Sequence, residues 1–214
     1  MCNLAIYGAG GFGREVALMI RQINQHHPAW ELKGFYDDGK SPGELVDGLS
    51  VIGGQKQLMD LNEEISIVVA IADSATRKKI VSSIARSNIS FPVIIHPQAM
   101  PGDIERNKFG KGSIITAGCI LTTSVILEEF VIINLSCTVG HDVTLGAYTS
   151  VMPGCSLSGS VKVGEEVLIG TGARILPQLT LGTRCRVGAG AVVTHDVPPD
   201  TTVIGVPAKP MKHD

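Results

Sequence analysis

Aliphatic residues recur at every sixth position from Ile114 to Val197, over fourteen consecutive blocks without an insertion. The second residue of each block is Ile, Leu or Val, and the sixth is Cys, Val, Thr, Ala or Leu. Apolar positions at this period would drift around an α-helix of 3.6 residues per turn, whereas short strands joined by corners keep them on one side. The pattern predicts a parallel β-helix whose turns stack on one another. An antiparallel sandwich is the alternative, but its loops would vary in length.

The first 95 residues follow a different pattern, in which short buried runs alternate with amphipathic segments. This alternation predicts a small Rossmann-like α/β domain. We expect strands near residues 3–7, 31–36, 65–71 and 92–95, with helices near 12–24, 55–60 and 74–87. These elements make about half of a dinucleotide-binding fold, so a mononucleotide fits better than a dinucleotide.

A glycine-rich turn connects the first predicted strand to the first predicted helix, with the sequence Gly8-Ala9-Gly10-Gly11-Phe12-Gly13. Such a turn lets the backbone approach a phosphate at the positive end of a helix. The second strand ends in Asp37-Asp38, whose carboxylates can bind ribose hydroxyls, and the third ends at Ala72-Asp73 on the same sheet edge. The alternative is that the glycines only form a tight turn and the acids only end a strand.

Further along the chain, the first turns of the helix predicted near 74–87 contain Arg77, Lys78 and Lys79, and we expect a solvated helix face there rather than a phosphate site. Three prolines and scattered charges mark a junction between the α/β domain and the repeats. The expected boundaries are 1–95 for the Rossmann-like domain, 96–113 for the junction, 114–197 for the β-helix and 198–214 for a C-terminal cap. We expect residues 203–207 to cover the last coil, because a solenoid needs a closing segment.

Composition excludes several classes of function. The net charge is −2 with no basic cluster, which argues against a nucleic-acid partner. We find neither a run of eighteen apolar residues nor a signal-peptide pattern, so we expect a soluble, cytoplasmic protein. The five cysteines are odd in number and lack C-x-x-C spacing, so we expect neither a disulfide framework nor a metal site. Cys119, Cys137 and Cys155 are eighteen residues apart, and we expect them to stack inside the solenoid.

His141 lies in the middle of the repeats, at the fourth position of its block, and Asp142 follows it. Histidine is the side chain best suited to take a proton near neutral pH, and a neighbouring carboxylate favours the imidazolium. Position alone also allows His141 to be an ordinary polar corner residue of the solenoid.

These features together resemble the sialic acid O-acetyltransferase and UDP-4-amino-sugar (bacillosamine) N-acetyltransferase family of hexapeptide-repeat sugar acetyltransferases. The resemblance covers residues 3 to about 210 and rests on the glycine-rich turn, the Asp-Asp pair, the R-K-K helix, His141-Asp142 and the closing segment VIGVPAK. It implies a left-handed β-helix with three blocks per coil. It also implies a homotrimer, with acetyl-CoA as co-substrate in the groove between neighbouring subunits.

The resemblance assigns roles to particular residues. His141 would be the general base and Asp142 its partner, in a direct transfer within a ternary complex; a backbone N–H near Gly154 would stabilise the oxyanion. The nucleotide sugar would be bound by Gly10, Gly11, Phe12, Asp37, Asp38 and Ala72. The coenzyme would be bound by Ser150, Thr171 and Ala189, with Lys209 near its phosphates. Two departures are Asp142, where the bacillosamine enzyme has glutamate, and Ser150, where it has a second histidine.

The expected activity is transfer of an acetyl group to the amine of a nucleotide-linked amino sugar, with a UDP-4-amino sugar as the expected acceptor. Alternatives are O-acetylation of sialic acid or a polysaccharide precursor, a nicotinamide-dependent oxidoreductase, and a non-catalytic trimeric scaffold. Surface-glycan biosynthesis is the expected pathway. One base serves an amine and a hydroxyl equally, so the sequence does not separate the first two.

Overall fold

The computed structural model describes residues 1–211. It divides the chain into two compact units, one comprising Met1–Pro92 and the other beginning at Val93. Lys212, His213 and Asp214, the last residues of the expected cap, lie outside the described residues.

The first unit is a small α/β domain with six strands and three helices among its residues. They are β1 (Cys2–Tyr7), α1 (Gly11–His26), β2 (Trp30–Tyr36), β3 (Leu45–Val46), β4 (Leu49–Gly53), α2 (Gln55–Asp60), β5 (Ile65–Val69), α3 (Ser74–Ile84) and β6 (Ile89–Ser90). The strand order is β3-β4-β2-β1-β5-β6, and only β3 and β4 pair antiparallel.

The parallel pairing brings three strand ends to one edge of this sheet. Tyr7, the last residue of β1, pairs with Tyr36 of β2 and with Val69 of β5. The loops after β1, β2 and β5 therefore share the carboxyl edge, where open α/β sheets bind ligands. β1 lies at the centre, and its residues Leu4, Ala5 and Ile6 are completely buried.

Three features of this domain differ from the sequence prediction, and one of them is the short strand β6, which was not predicted and pairs with β5. The β3–β4 hairpin was not predicted, although Asp47 and Gly48 between its strands both have positive φ, as a two-residue hairpin turn requires. The strand predicted at 92–95 is shorter, Ile94–Ile95, and pairs with the solenoid strand Ile114–Ile115 rather than with the first sheet.

The second unit is a solenoid with three parallel faces, built almost entirely from two-residue strands. Face 1 contains β7 (Ile94–Ile95), β9 (Ile114–Ile115), β12 (Ile132–Ile133), β15 (Ser150–Val151), β18 (Leu168–Ile169), β21 (Arg186–Val187), β23 (Thr202–Ile204) and β24 (Lys209–Pro210). Face 2 contains β10 (Ile120–Leu121), β13 (Thr138–Val139), β16 (Ser156–Leu157), β19 (Arg174–Ile175) and β22 (Val192–Val193). Face 3 contains β8 (Lys108–Phe109), β11 (Ile126–Leu127), β14 (Thr144–Leu145), β17 (Lys162–Val163) and β20 (Thr180–Leu181).

Throughout the repeats each strand pairs with the strand eighteen residues later, for example Thr138 with Ser156 and Ile132 with Ser150. Three blocks therefore complete one coil. Every second-position side chain from Ile115 to Val193 is buried, as is every sixth-position side chain except the partly buried Leu179. The hydrophobic period thus places two columns of side chains inside the solenoid on each face, one from the second positions and one from the sixth.

Corners between the faces form three edges of the prism. Edge 1 joins faces 1 and 2 and includes residues 134–136, 152–154, 170–172 and 188–190. Edge 2 joins faces 2 and 3 and includes residues 122–124, 140–142, 158–160, 176–178 and 194–196. Most fifth-position residues have a left-handed backbone, including Asp142 with φ 59°. This conformation turns the chain from one face to the next.

The solenoid begins earlier than expected. Residues 96–113, expected as a junction, belong to its first, irregular coil: Met100 bridges to Ile120, and Lys108–Phe109 pairs with Ile126–Leu127. At the other end, β23 pairs with β21 and folds back on β24, and Val203 is buried against the core.

Cys119, Cys137, Cys155 and Cys185 are all buried at sixth positions, and the first three lie on successive coils of one column. The thiol of Cys155 points into the core and contacts the carbonyl oxygen of Gly170 at 3.1 Å. Burial raises the pKa of Cys185 to about 12. These cysteines therefore act as small apolar side chains.

Candidate active site

The loop after β1 combines two packed glycines with two open ones. A Cβ on Gly13 would lie 1.9 Å from the carbonyl oxygen of Gly8, and a Cβ on Gly8 would lie 2.7 Å from the side chain of Ile71. By contrast, no atom lies within 4 Å of the Cβ position of Gly10 or Gly11. Helix α1 begins at Gly11 with no acidic residue in its first turn. The loop therefore leaves room for a phosphate at a helix N-terminus.

Asp37 ties the loop after β2 to the glycine-rich loop. One carboxylate oxygen accepts a hydrogen bond from the N–H of Ala9 at 2.7 Å, and the other from the N–H of Gly39 at 2.9 Å. Each carboxylate oxygen has two lone pairs, so these bonds leave capacity for a ligand hydroxyl. Asp37 is half-buried.

Asp38 also has structural partners, which the sequence did not reveal. It accepts hydrogen bonds from the N–H of Gln55 at 2.7 Å and from the hydroxyl of Tyr7. Burial of the ring, together with the bond to Asp38, raises the pKa of Tyr7 above its ordinary value. The acidic pair is thus partly a scaffold that fixes the relative positions of β1, the β2 loop and α2.

Arg77 determines the shape of the loop after β5, and the expectation of a solvated face was wrong for this residue. Its side chain is only 1% exposed. The guanidinium Nη1 donates to the carbonyl oxygens of Ile71 at 2.6 Å and Ala72 at 3.1 Å. Lys79 on the same helix is exposed, as expected.

His141 and Asp142 lie at edge 2 of the solenoid, with side chains 62% and 60% exposed. Nδ1 of His141 is 2.8 Å from a carboxylate oxygen of Asp142. A carboxylate only accepts, so in the neutral imidazole this contact assigns the ring proton to Nδ1 and leaves the lone pair on Nε2. The left-handed conformation of Asp142 and its N–H bond to the carbonyl oxygen of Thr123, at 3.1 Å, hold the pair at the corner.

Gly159 lies one coil further along edge 2, directly beside the imidazole. A Cβ at this position would be 2.4 Å from Nε2 of His141 and 2.5 Å from its Cε1. Gly159 was not among the predicted site residues, although its distance of eighteen residues from His141 is one coil. Among the described residues, its N–H makes no backbone hydrogen bond outside regular elements.

The residues expected to bind coenzyme do not share one environment. Thr171 and Ala189 are exposed on adjacent coils of edge 1. Ser150 is completely buried on face 1, so its side chain has no accessible surface through which to contact CoA. Lys209 is exposed in β24. The N–H of Gly154, expected near the oxyanion, already donates to the carbonyl oxygen of Leu135 at 2.8 Å.

Arg174 adds a cationic group to edge 1 that the sequence analysis did not identify. Its Nη1 donates to the carbonyl oxygens of Gly154 at 2.6 Å and Gly172 at 2.8 Å, which are corner residues of successive coils.

Within residues 1–211, no group of three or more His, Cys, Asp or Glu side chains could hold a metal ion. No described helix has the length and hydropathy of a membrane span.

Comparisons with known proteins agree with this arrangement. Residues 3–84 match the family described as the PglD N-terminal domain, and residues 160–195 match the bacterial transferase hexapeptide family. The chain is 32% identical over 155 residues to GDP-perosamine N-acetyltransferase from Escherichia coli, covering 72% of this chain and 69% of that protein.

Solved structures extend the match to the whole chain. The acetyltransferase domain of PglB from Neisseria gonorrhoeae, in complex with acetyl coenzyme A, has a TM-score of 0.89 and 37% identity, covering 98% of each chain. A variant of perosamine N-acetyltransferase from Caulobacter crescentus, in complex with CoA and GDP-perosamine, has a TM-score of 0.89 and 30% identity, covering 100% of this chain and 98% of that one. These matches confirm the expected fold, a small Rossmann-like domain followed by a left-handed β-helix. The chain belongs to the hexapeptide-repeat family of acetyl-CoA-dependent sugar N-acetyltransferases.

Proposed function

We propose that this protein transfers the acetyl group of acetyl-CoA to the amine of a nucleotide-linked amino sugar, with His141 as general base. The observation that carries the proposal is the exposed His141–Asp142 pair, in which the contact at Nδ1 leaves Nε2 free to take a proton. Both the PglB domain and the Caulobacter enzyme were solved with the coenzyme, and two structures of the latter carry a substitution of one histidine.

The proposed reaction is a direct transfer. Nε2 of His141 takes a proton from the acceptor amine as its nitrogen attacks the acetyl carbonyl, and Asp142 stabilises the resulting imidazolium. The C–S bond then breaks and the thiolate of CoA leaves, taking up the proton from the imidazolium, which restores neutral His141. The N–H of Gly159 is the best donor for the transient oxyanion, because it lies in the same corner as the imidazole and the N–H of Gly154 is already engaged.

We propose that the carboxyl edge of the first domain binds the nucleotide. The N-terminus of α1 beside Gly10, Gly11 and Phe12 offers free N–H groups to the phosphates, and Asp37 and Asp38 have lone pairs for ribose hydroxyls. Ala72, whose carbonyl is held by Arg77, lines the third loop. Our expectation of a UDP-linked sugar competes with a GDP-linked one, because two relatives are perosamine N-acetyltransferases.

We also propose a homotrimer with acetyl-CoA bound between subunits. The proposed base is on edge 2, whereas Thr171 and Ala189, the proposed coenzyme contacts, are on edge 1 of the same prism. A neighbouring copy could bring its edge 1 beside this edge 2 and complete the site. The exposed side chains of Ile120, Leu135 and Leu176 on these edges and face 2 offer apolar surface for such packing.

All five cysteines are unpaired, which supports a reducing, cytoplasmic environment.

The test is acetylation of a panel of acceptors by the natural chain and by His141→Ala, with products identified by mass spectrometry. The panel contains UDP- and GDP-linked 4-amino sugars, their 4-hydroxy counterparts and free sialic acid. We expect an N-acetylated nucleotide sugar, formed by the natural chain and formed far more slowly by the variant. Reaction with hydroxyl acceptors alone would overturn the amine assignment, and an unimpaired variant would overturn the role of His141.

A further inference from the structure

Gly159 lies directly against the imidazole ring of His141, the proposed base. The three atoms nearest to its Cβ position all belong to the ring of His141, at 2.4, 2.5 and 3.0 Å. A real Cβ contact closer than about 3.0 Å does not occur in folded proteins, because such atoms repel each other strongly. The ring can therefore hold its present position only if residue 159 has no side chain.

The backbone at this position does not itself require glycine. Gly159 is absent from the residues with positive φ, so an L-residue can adopt its conformation. Its carbonyl oxygen accepts a hydrogen bond from the N–H of Gln178 at 3.0 Å, which any residue could maintain. The imidazole, whose atoms are the three nearest to the Cβ position, is therefore the direct steric reason for a glycine here.

A side chain at 159 would act on His141 in two ways. The imidazole would have to rotate away, and this would break the 2.8 Å contact between its Nδ1 and Asp142. A methyl group would also occupy space beside Nε2, where the proton of the acceptor has to arrive. The histidine side chain is 62% exposed and can turn towards solvent, so this displacement should cost little stability.

We propose that Gly159 is a positioning residue for His141: its missing side chain sets the orientation of the imidazole and keeps Nε2 accessible. The inference rests on the proposed function, since it concerns the placement of the same base. It differs from the oxyanion role of the Gly159 N–H, because substitution by alanine retains the N–H and adds only the methyl group.

The experiment is a double-mutant cycle with Gly159→Ala, His141→Ala and the combined variant, using acetyl-CoA and the acceptor that the natural chain acetylates. We expect Gly159→Ala to lower kcat on the order of 10²-fold, as displacement of a catalytic group by about 1 Å does, with the KM for both substrates within about twofold. In the His141→Ala background the same substitution should have no further effect. Ser158→Ala, a substitution of the preceding residue in the same corner, is the matched control and should retain kcat.

A second readout does not depend on turnover. In protein labelled with ¹⁵N-histidine, the Nδ1 and Nε2 resonances of His141 report its tautomer, and Gly159→Ala should shift them towards a mixture of tautomers at unchanged Tm. A natural level of kcat with unchanged resonances would overturn the inference. So would an equal further loss in the His141→Ala background, or a loss of activity explained by a lower Tm. Absence of acetyl transfer by the natural chain would instead refute the proposed function, and the resonances would still test the inference.

Discussion

The contact between Tyr7 and Asp38 gives a quantitative test of how the acidic pair is built into the first domain. Tyr7 is 2% exposed and its hydroxyl donates to Asp38, which also accepts from the N–H of Gln55. Asp38→Ala removes the acceptor of a buried donor. The side chain of Asp38 is itself exposed, so the main cost of this substitution falls on its partners.

The magnitude follows from the burial of Tyr7. A buried hydroxyl left without a partner costs about 1–3 kcal/mol, and loss of the Gln55 contact adds about 0.5–1.5 kcal/mol. Tyr7→Phe removes the hydroxyl together with its demand for a partner, and alone should cost about 0.5–1.5 kcal/mol. Asp38→Ala should therefore cost about 1–3 kcal/mol less in the Tyr7→Phe background than in the natural chain.

Urea unfolding followed by tryptophan fluorescence measures this difference, because the only tryptophan, Trp30, begins β2 in the same domain. Asp60→Ala, an exposed acid at the end of α2, is the matched control and should change the free energy of unfolding by less than about 0.5 kcal/mol. Strictly additive effects of Asp38→Ala and Tyr7→Phe would refute the coupling. A cost for Asp38→Ala no larger than the control would refute the role of Asp38 as a tie.

Three further predictions concern other parts of the molecule. Burial of the ring and the hydrogen bond to Asp38 raise the pKa of Tyr7, so the stability that this shift contributes is complete below the unfolded pKa of about 10 and is lost progressively as the pH rises above that value. Urea midpoints between pH 9 and 11 should therefore fall more steeply for the natural chain than for Tyr7→Phe. Parallel slopes of the two chains would contradict this prediction. Only Cys2 is exposed, so a thiol reagent should modify one cysteine rapidly in the native protein and five in urea; rapid reaction of a second native thiol would show that the column is accessible. Arg77→Met should raise the KM for the nucleotide sugar about tenfold or more, because two hydrogen bonds to the loop after β5 are lost, while the KM for acetyl-CoA stays constant. Lys79→Met is the control. Equal KM values for the nucleotide sugar in the two variants would contradict the role of Arg77.

The solenoid could be predicted from sequence because its structure repeats a single local rule. A period of six and three faces require that residue i pairs with residue i+18, and the pairing of Ile120 with Thr138 follows this rule. The same rule places Gly159 next to His141, so their proximity was also within reach of the sequence. The first coil was assigned to the junction because it is irregular: Met100 makes an isolated bridge to Ile120, twenty residues later, although Lys108 pairs with Ile126 at the regular distance of eighteen.

The first domain was less predictable because its contacts are long-range. The Asp47-Gly48 turn did carry a hairpin signal, but the flanking strands are short. Sequence does not distinguish an arginine on a solvated face from one whose guanidinium binds carbonyls five and six residues earlier, as Arg77 does. Likewise, nothing local to Asp38 indicates that Tyr7, 31 residues away, is its partner.

The central claim is that His141 removes the proton of the acceptor amine. Steady-state kinetics of the natural chain and His141→Ala, with acetyl-CoA and the amino sugar identified from the panel, test it most directly. We predict a kcat lower by about 10²–10⁴-fold in the variant, with little change in either KM, because the base acts in the transition state rather than in binding. A variant whose kcat stays within about threefold of the natural value would contradict the account, since a general base typically contributes about 10²–10⁴-fold.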